Sequence, residues 1–284
     1  MPLISTGDIT LEARTRARGV GAFNVVQIEH AQAIVSGAEA AGLPVILQIS
    51  ENTVRYHGAL EPIGLASLAV ARASRVPVAV HLDHARSAGL VHEAVRLGFT
   101  SVMYDASTLP YDGNVTATRA IADHCHGHGV RVEAELGEIG GKDGAHAPGT
   151  RTDPDEARAF VDATDVDALA VAVGSSHAML TRDAVLDLAL ISRLRQAVRV
   201  PLVLHGSSGV GDAGLAEAVA AGMTKVNIST HLNKLFTRAV RTYLDAHADA
   251  ADPRRYLGPA RDAVAAEVTR LLRVLAGTGA DPAR

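Results

Sequence analysis

The chain has 284 residues, 48% of them hydrophobic, with 27 basic against 31 acidic side chains and a net charge of −4. Such content buries a large core, while mild acidity, 3% aromatics and no Trp give nucleic acid, anionic membranes and base-stacking platforms no support. One cysteine, Cys125, excludes an internal disulfide, and with neither a secretory leader pattern after Met1 nor a spanning apolar run, a soluble cytoplasmic protein is expected.

In chain order, the first apolar, β-branched run is 20–25, which carries Phe23-Asn24; an Ala-rich amphipathic stretch, 30–41, follows and stops at Gly42. The second run, 44–49, is followed by Ser50, and the third, 77–82, ends in His81-Leu82-Asp83-His84. A helical stretch at 89–97 and Gly98 lead to the fourth run, 101–104, with Asp105 at its end. After a helix at 115–124 comes Asp123-His124-Cys125-His126-Gly127-His128. These histidines sit at a helix C-terminus, where imidazoles suit the dipole, and are read as structural. The fifth run, 130–136, carries Glu133 and Glu135, and the Gly- and charge-rich residues 138–154 are expected as a mobile loop over the mouth of the fold. The sixth, 168–173, leads into Gly174-Ser175-Ser176-His177, and a helix is expected over 183–197. The seventh, 201–204, ends at His205-Gly206-Ser207-Ser208-Gly209; helix 212–221 then precedes the eighth run, 225–228, with Asn227, Ser229 and Thr230 at its end. A long helical tail follows, broken at Asp252-Pro253, with another helix from about Pro259.

Glycines that close helices just before strands are the handover to a parallel sheet, and strands that are apolar on both faces imply helices on both sides. Eight such units, with polar residues ending many different strands, favour a (β/α)₈ TIM barrel with extra C-terminal helices over an open doubly wound sheet. No linker or low-complexity stretch divides it, so one barrel domain over residues 1–284 is expected.

In such a barrel the C-terminal strand ends form the active mouth. His84, His177 and His205 would converge there from three strands. Three imidazoles leave a fourth zinc position open, the mark of a catalytic metal site. A single buried histidine is more often a core or capping residue, but three at matching strand ends beside carboxylates form a constellation. Residues 209–214 satisfy G-x-G-x-x-G, yet the next strand lacks the acidic residue of a dinucleotide site. Phosphate binding by backbone N–H groups of 206–209, with Ser229 and Thr230 opposite, is the better reading. Lysines are only Lys142, Lys225 and Lys234; Lys225 opens the eighth strand and is expected at the far end of the barrel. Schiff-base chemistry is therefore disfavoured, and a metal must supply the electrophile.

His81-Leu82-Asp83-His84, Glu133-Ala134-Glu135-Leu136-Gly137, Gly140-Gly141, His205-Gly206-Ser207-Ser208-Gly209 and Lys225-Val226-Asn227 together resemble the class II, zinc-dependent ketose-bisphosphate aldolases. The resemblance runs from Ala22-Phe23-Asn24 to Asp252-Pro253-Arg254-Arg255-Tyr256-Leu257. It implies a lyase of carbohydrate metabolism, such as glycolysis. The reaction would reversibly cleave a fructose- or tagatose-1,6-bisphosphate-like ketose phosphate to dihydroxyacetone phosphate and an aldehyde through a zinc-stabilised enediolate. It implies His84, His177 and His205 as zinc ligands, and Asp105 and Glu135 as holders of a second metal or steering groups for those histidines. Asp83 would be the acid/base at the aldehyde oxygen, and Asp143 would stand in for the family's loop base at the C3 proton. Gly206, Ser207, Ser208, Asn227, Ile228, Ser229 and Thr230 match positions that hold the dihydroxyacetone phosphate half. Asn24, Ser50 and Arg254 match positions that touch the rest, Arg254 from a neighbouring subunit. Ala178 replaces a Gly whose backbone meets phosphate or a monovalent cation, so Na⁺ or K⁺ is an expected companion to zinc. Ser229 stands where the long, fructose-specific branch carries Asp, which places the chain nearer the tagatose-bisphosphate-like branch. A homodimer or homotetramer is expected, with the Ala-rich tail as an interface. Two other readings stay open on the residues: a zinc hydrolase on the same barrel, which would want a His-x-His on the first strand, and a non-catalytic sugar-phosphate-binding protein.

Overall fold

The computed structural model describes residues 2–136, 151–176 and 181–278. Its eight strands are β1 (Val20–Asn24), β2 (Val45–Ser50), β3 (Val78–Ala85), β4 (Ser101–Tyr104), β5 (Arg131–Leu136), β6 (Ala168–Val171), β7 (Leu202–Leu204) and β8 (Met223–Ile228). They pair in sequence order, all parallel, and β8 closes on β1 with Ala22 opposite Asn227. Around this barrel run α2 (Ile28–Ala41), α3 (Glu51–His57), α4 (Glu61–Ala73), α5 (Ala88–Leu97), α6 (Tyr111–His126), α7 (Pro154–Thr164), α8 (Leu188–Ala197) and α9 (Asp212–Ala221). α1 (Thr6–Thr15) precedes the first strand, and α10 (Thr230–Ala246) and α11 (Pro253–Leu275) follow the last.

Strand alternation sorts the side chains into two layers. Outward residues such as Phe23, Leu47, Val80, Leu82 and Val102 join the helices in one continuous core. Inward residues change character along the barrel axis. At the base, Val20, Ala22, Ile46 and Ala79 pack with Ile9 and Ala13 of α1 in a separate apolar cluster. Two residues further up each strand the interior holds Asn24, Gln48, His81 and Asp83, joined by Glu133, Glu135, His205, Lys225 and Asn227, all buried. The strands are thus not apolar on both faces: the inner face of the upper half is polar, which a barrel tolerates only where those groups have partners or a ligand.

Several boundaries differ from the sequence expectation, each for a local reason. α11 starts at Pro253, not near Pro259, because the Asp252 side chain accepts from the Arg254 N–H and Pro253 fills the first helical position. Asp187 caps α8 by accepting from Leu190 N–H, which delays that helix past residue 183. Asp153 accepts from Asp155 and Glu156 N–H and starts α7 inside the stretch read as loop. The rest of that stretch, 138–150, lies outside the described residues. β8 begins at Met223, two residues early, so Lys225 is an interior position of the strand rather than its opening.

Candidate active site

The mouth is built around an irregularity in β3. Its register with β2 is regular up to Ser50 opposite Asp83, but its pairing with β4 slips between Leu82 and Ala85. His84 sits at that bulge with φ of +51°, a left-handed conformation that costs a non-glycine residue on the order of 1–3 kcal/mol. The bulge breaks the in–out alternation, so Asp83 and His84 both reach the mouth.

His84 Nδ1 lies 3.1 Å from Asp105 Oδ2, the contact of an N–H donating to a carboxylate, while its Nε2 is 3.9 Å from Asp83 Oδ1. Asp105 is itself fixed by the Ser107 hydroxyl, which donates at 2.6 Å. His205 follows the same plan: Nε2 is 2.9 Å from Glu133 Oε1, and Nδ1 is 3.6 Å from Glu135 Oε2. The two imidazoles meet edge to face with centroids 4.7 Å apart. As a result Asp83, His84 and His205 can each offer a ligand atom within 4.8 Å of the others, as can His84, Asp105 and Glu135.

Lys225 corrects the sequence reading. It does not point to the far end of the barrel; it is buried inside, and its Nζ donates to Glu133 Oε2 at 2.8 Å. Asn227, two residues on, faces the same interior, and the long lysine stem carries the ammonium up to the layer beneath the mouth. Lys225, Glu133 and His205 thus form one buried chain of contacts. His81, below Asp83, hydrogen-bonds the Ser101 hydroxyl through Nδ1 at 2.6 Å. Burial, with Lys225 close by, holds the His81 pKa well below its ordinary value.

A second chain orients Asp83. Gln48 Nε2 donates to Asn24 Oδ1 at 2.7 Å, and Asn24 Nδ2 donates to Asp83 Oδ2 at 3.0 Å. Burial pushes the Asp83 carboxyl up, yet His84, His205, Lys225 and the Asn24 hydrogen bond together hold it below its ordinary value. Asn24, expected to touch substrate, therefore also positions the carboxylate. Gln48 escaped the sequence reading; its signal was one amide in the apolar run of β2, two residues before Ser50.

Across the mouth lie the loops after β7 and β8. Gly206 has φ of +68°, and a Cβ there would fall 2.4 Å from the Ser176 carbonyl oxygen, so only glycine allows this approach. Ser175 donates its hydroxyl to the His205 carbonyl at 2.6 Å. The chain leading to residue 177 is thereby fastened to the end of β7. The Ser208 hydroxyl accepts from Ser229 N–H at 3.3 Å and from His231 N–H at 3.2 Å. Asn24, Ser50, Asp83, His84, Gly206, Ser208, Asn227, Ser229 and Thr230 line one cleft, together with Gln48 and Asn52. Ser50 also caps α3, accepting from Thr53 N–H.

Some expected residues lie elsewhere. The Ser207 hydroxyl turns back to the Leu204 carbonyl, and the Ile228 side chain packs in the outer core, so neither side chain faces the cleft. Arg254 is exposed at the start of α11, paired with Asp252 and away from this cleft. His177, Ala178 and Asp143 lie outside the described residues. The histidines near Cys125 are engaged locally: His126 Nε2 with Asp167 at 2.8 Å, and His128 Nδ1 with the His124 carbonyl at 2.9 Å.

The donor set suits a divalent cation. Two imidazoles each have one nitrogen engaged by a carboxylate and the other turned inward, the arrangement that orients metal-ligating histidines. Asp83 Oδ1 is buried with no hydrogen-bond partner among the described residues. Four acidic side chains, Asp83, Asp105, Glu133 and Glu135, are buried with Lys225 as the interior lysine, an imbalance that a bound cation relieves.

The family description "Fructose-bisphosphate aldolase class-II" matches residues 4–280. The YdjI aldolase from Escherichia coli K12 superimposes with a TM-score of 0.85 and 31% identity, over 98% of this chain and 98% of that one. A candidate fructose-1,6-biphosphate aldolase from Coccidioides immitis gives 0.86 and 28%, over 96% of each chain. The fructose-bisphosphate aldolase from Campylobacter jejuni has the same fold, with a TM-score of 0.80 at 20% identity over 96% and 95% of the two chains.

Proposed function

The chain belongs to the class II fructose-bisphosphate aldolase family and is an aldolase, and on that premise we propose that it cleaves a ketose phosphate, of the fructose or tagatose bisphosphate type, with zinc in the mouth of its barrel. The observation that carries this reading is the convergence of Asp83, His84 and His205 within ligand distance beside His84, Asp105 and Glu135.

His84 and His205 would hold the metal, with His177 as third ligand, and imidazole donors suit zinc. When bound, zinc supplies Lewis-acid polarisation of the ketose oxygens, worth several kcal/mol. The rest is done by the chain. Asp83, held below its ordinary pKa, takes the proton from the C4 hydroxyl as the C3–C4 bond breaks and the aldehyde forms. Such proton transfer is worth about 10²–10⁴ in rate. The electron pair of the broken bond stays on C3 of the triose phosphate half, which takes its proton there from Asp143. Gln48 and Asn24 keep the Asp83 carboxylate aimed at that oxygen. Gly206, Ser208, Ser229 and Thr230 offer backbone N–H groups and hydroxyls to the phosphate, at the loops where barrels hold it. No described helix is long and apolar enough to cross a membrane, and on this reading the protein is a cytoplasmic homo-oligomer of carbohydrate metabolism.

The test is a coupled assay for dihydroxyacetone phosphate release from a panel of ketose phosphates, before and after chelation and zinc readdition. Zinc-restored turnover is expected, lost by about 10²–10⁴ in Asp83→Ala with zinc still bound. Full turnover in the chelated protein, or in Asp83→Ala, would overturn the reading.

A further inference from the structure

Behind the cleft, a line of charged side chains crosses from one phosphate loop to the other. Arg182 donates through Nη2 to Asp212 Oδ1 at 2.7 Å and through Nε to the Val210 carbonyl at 2.9 Å. Asp212, the first residue of α9, also accepts from the Arg270 guanidinium of α11. Arg270 turns its other edge to Glu267, donating through Nε at 2.9 Å and Nη2 at 2.7 Å. Glu267 then accepts from His231 Nε2 at 2.6 Å. His231 follows Thr230 in the first turn of α10. None of these five side chains lines the cleft.

We infer that this chain, from Arg182 through Asp212, Arg270 and Glu267 to His231, is a clasp that sets the gap between the loops after β7 and β8 and so sets the affinity of the mouth for phosphate. The inference rests on the phosphate site proposed above. At the front, the Ser208 hydroxyl joins the two loops through bonds of 3.2 and 3.3 Å, long for N–H···O. At the back, Arg270 and Glu267, three residues apart on α11, bridge Asp212 on the β7 side to His231 on the β8 side, and the Arg270 fork between two carboxylates leaves little freedom. A phosphate gripped from both loops needs donors placed to within about 0.5 Å, and the back of the site is where that spacing is held. Burial pushes the Glu267 carboxyl up, but Arg270 and His231 outweigh it and hold it at about 2. Glu267 thus keeps its charge throughout the working pH range. These are positioning residues; none touches substrate.

The rival explanation is ordinary surface stabilisation. Half-exposed ion pairs contribute only about 0–1 kcal/mol to stability, and they leave ligand affinity alone. Charge gives a second discriminator. Glu267→Gln removes a negative charge near the site, so electrostatics alone would tighten phosphate binding. The clasp predicts the opposite sign.

The experiment uses the zinc-loaded full chain. The dissociation constant of inorganic phosphate, and KM and kcat for the best ketose phosphate, are measured for wild type, Glu267→Gln and Asp212→Asn. Expected is weaker phosphate binding and a raised KM, each by about two- to thirtyfold, with kcat changed much less and melting temperatures close to wild type. Unchanged or tighter phosphate binding in both variants, with wild type binding phosphate, would overturn the clasp and leave the aldolase reading standing. A wild type that binds no phosphate would overturn the phosphate site and the clasp with it. Should one variant fail to fold, the other, which breaks the line from the opposite side, carries the same comparison.

Discussion

Lys225 and Glu133, with side chains 1% and 3% exposed, form a buried ion pair 2.8 Å long, and Glu133 in turn holds His205 Nε2. A carboxylate can only accept, so the pair favours the His205 tautomer with its proton on Nε2 toward Glu133, and Nδ1 lies 3.6 Å from Glu135 Oε2. Lys225→Met should therefore do two things. Removing one partner of a buried pair costs about 3–5 kcal/mol, visible as a lower melting temperature. If Glu133 orients a ligand of the proposed zinc, loosening it costs about 10–100-fold in metal affinity, measured as zinc retention against a chelator of known strength. Zinc affinity equal to wild type in a folded Lys225→Met would remove the pair from the site. At this scale the sequence revealed Asp83, His84 and His205, because polar residues that end apolar runs stand out. It hid Gln48 and misplaced Lys225, because alternation says which residues share a face but not how far up the barrel a long side chain climbs.

Between elements, His30 of α2 stacks on Phe236 of α10, with ring centroids 4.7 Å apart and planes 24° apart. Both its ring nitrogens are buried, and among the described residues neither has a hydrogen-bond partner in normal geometry. Burial lowers its pKa, against weaker raising effects of Glu29 and Asn233. A histidine with a folded pKa below its ordinary value binds fewer protons folded than unfolded, so stability is full above the unfolded pKa, about 6.5, and falls as pH drops through it. Melting temperatures taken from pH 7.5 down to pH 5 should fall less steeply in His30→Leu than in wild type; parallel curves would clear His30 of this role. The eight strands were legible to within a few residues because each is a short apolar run between breaks. The helices were less so. α1 carries little apolar periodicity, α7 carries only one short stripe at Ala157, Phe160 and Val161, and their starts depend on caps at Ser5 and Asp153 whose hydrogen bonds only the folded backbone discloses. α3 and α4 share one connection between β2 and β3 where a single crossover helix would serve.

As a whole the molecule is a ring closed twice, by β8 pairing with β1 and by α11 packing along α2, where Thr269 donates to the Gly37 carbonyl at 2.9 Å. α11 buries Val264, Val268, Leu271, Leu272 and Leu275. At about 1.5–3 kcal/mol for each fully buried large aliphatic side chain, its loss removes as much as the whole net stability of about 5–15 kcal/mol. A chain ending at Ala251 should show no cooperative thermal transition by circular dichroism; a transition near that of the full chain would mean the barrel stands without its last helix.

The bulge at His84 and the acids around it are also events in time. Asp83, His84, Asp105, Glu133 and Glu135 all leave the ribosome before His205 and Lys225. Until β8 emerges, the growing sheet has two open edges and its acidic residues have no interior cation to answer them. The proposed site thus gains His205 and its buried lysine only in the final moments of synthesis, and the nascent chain passes most of its elongation with the mouth incomplete.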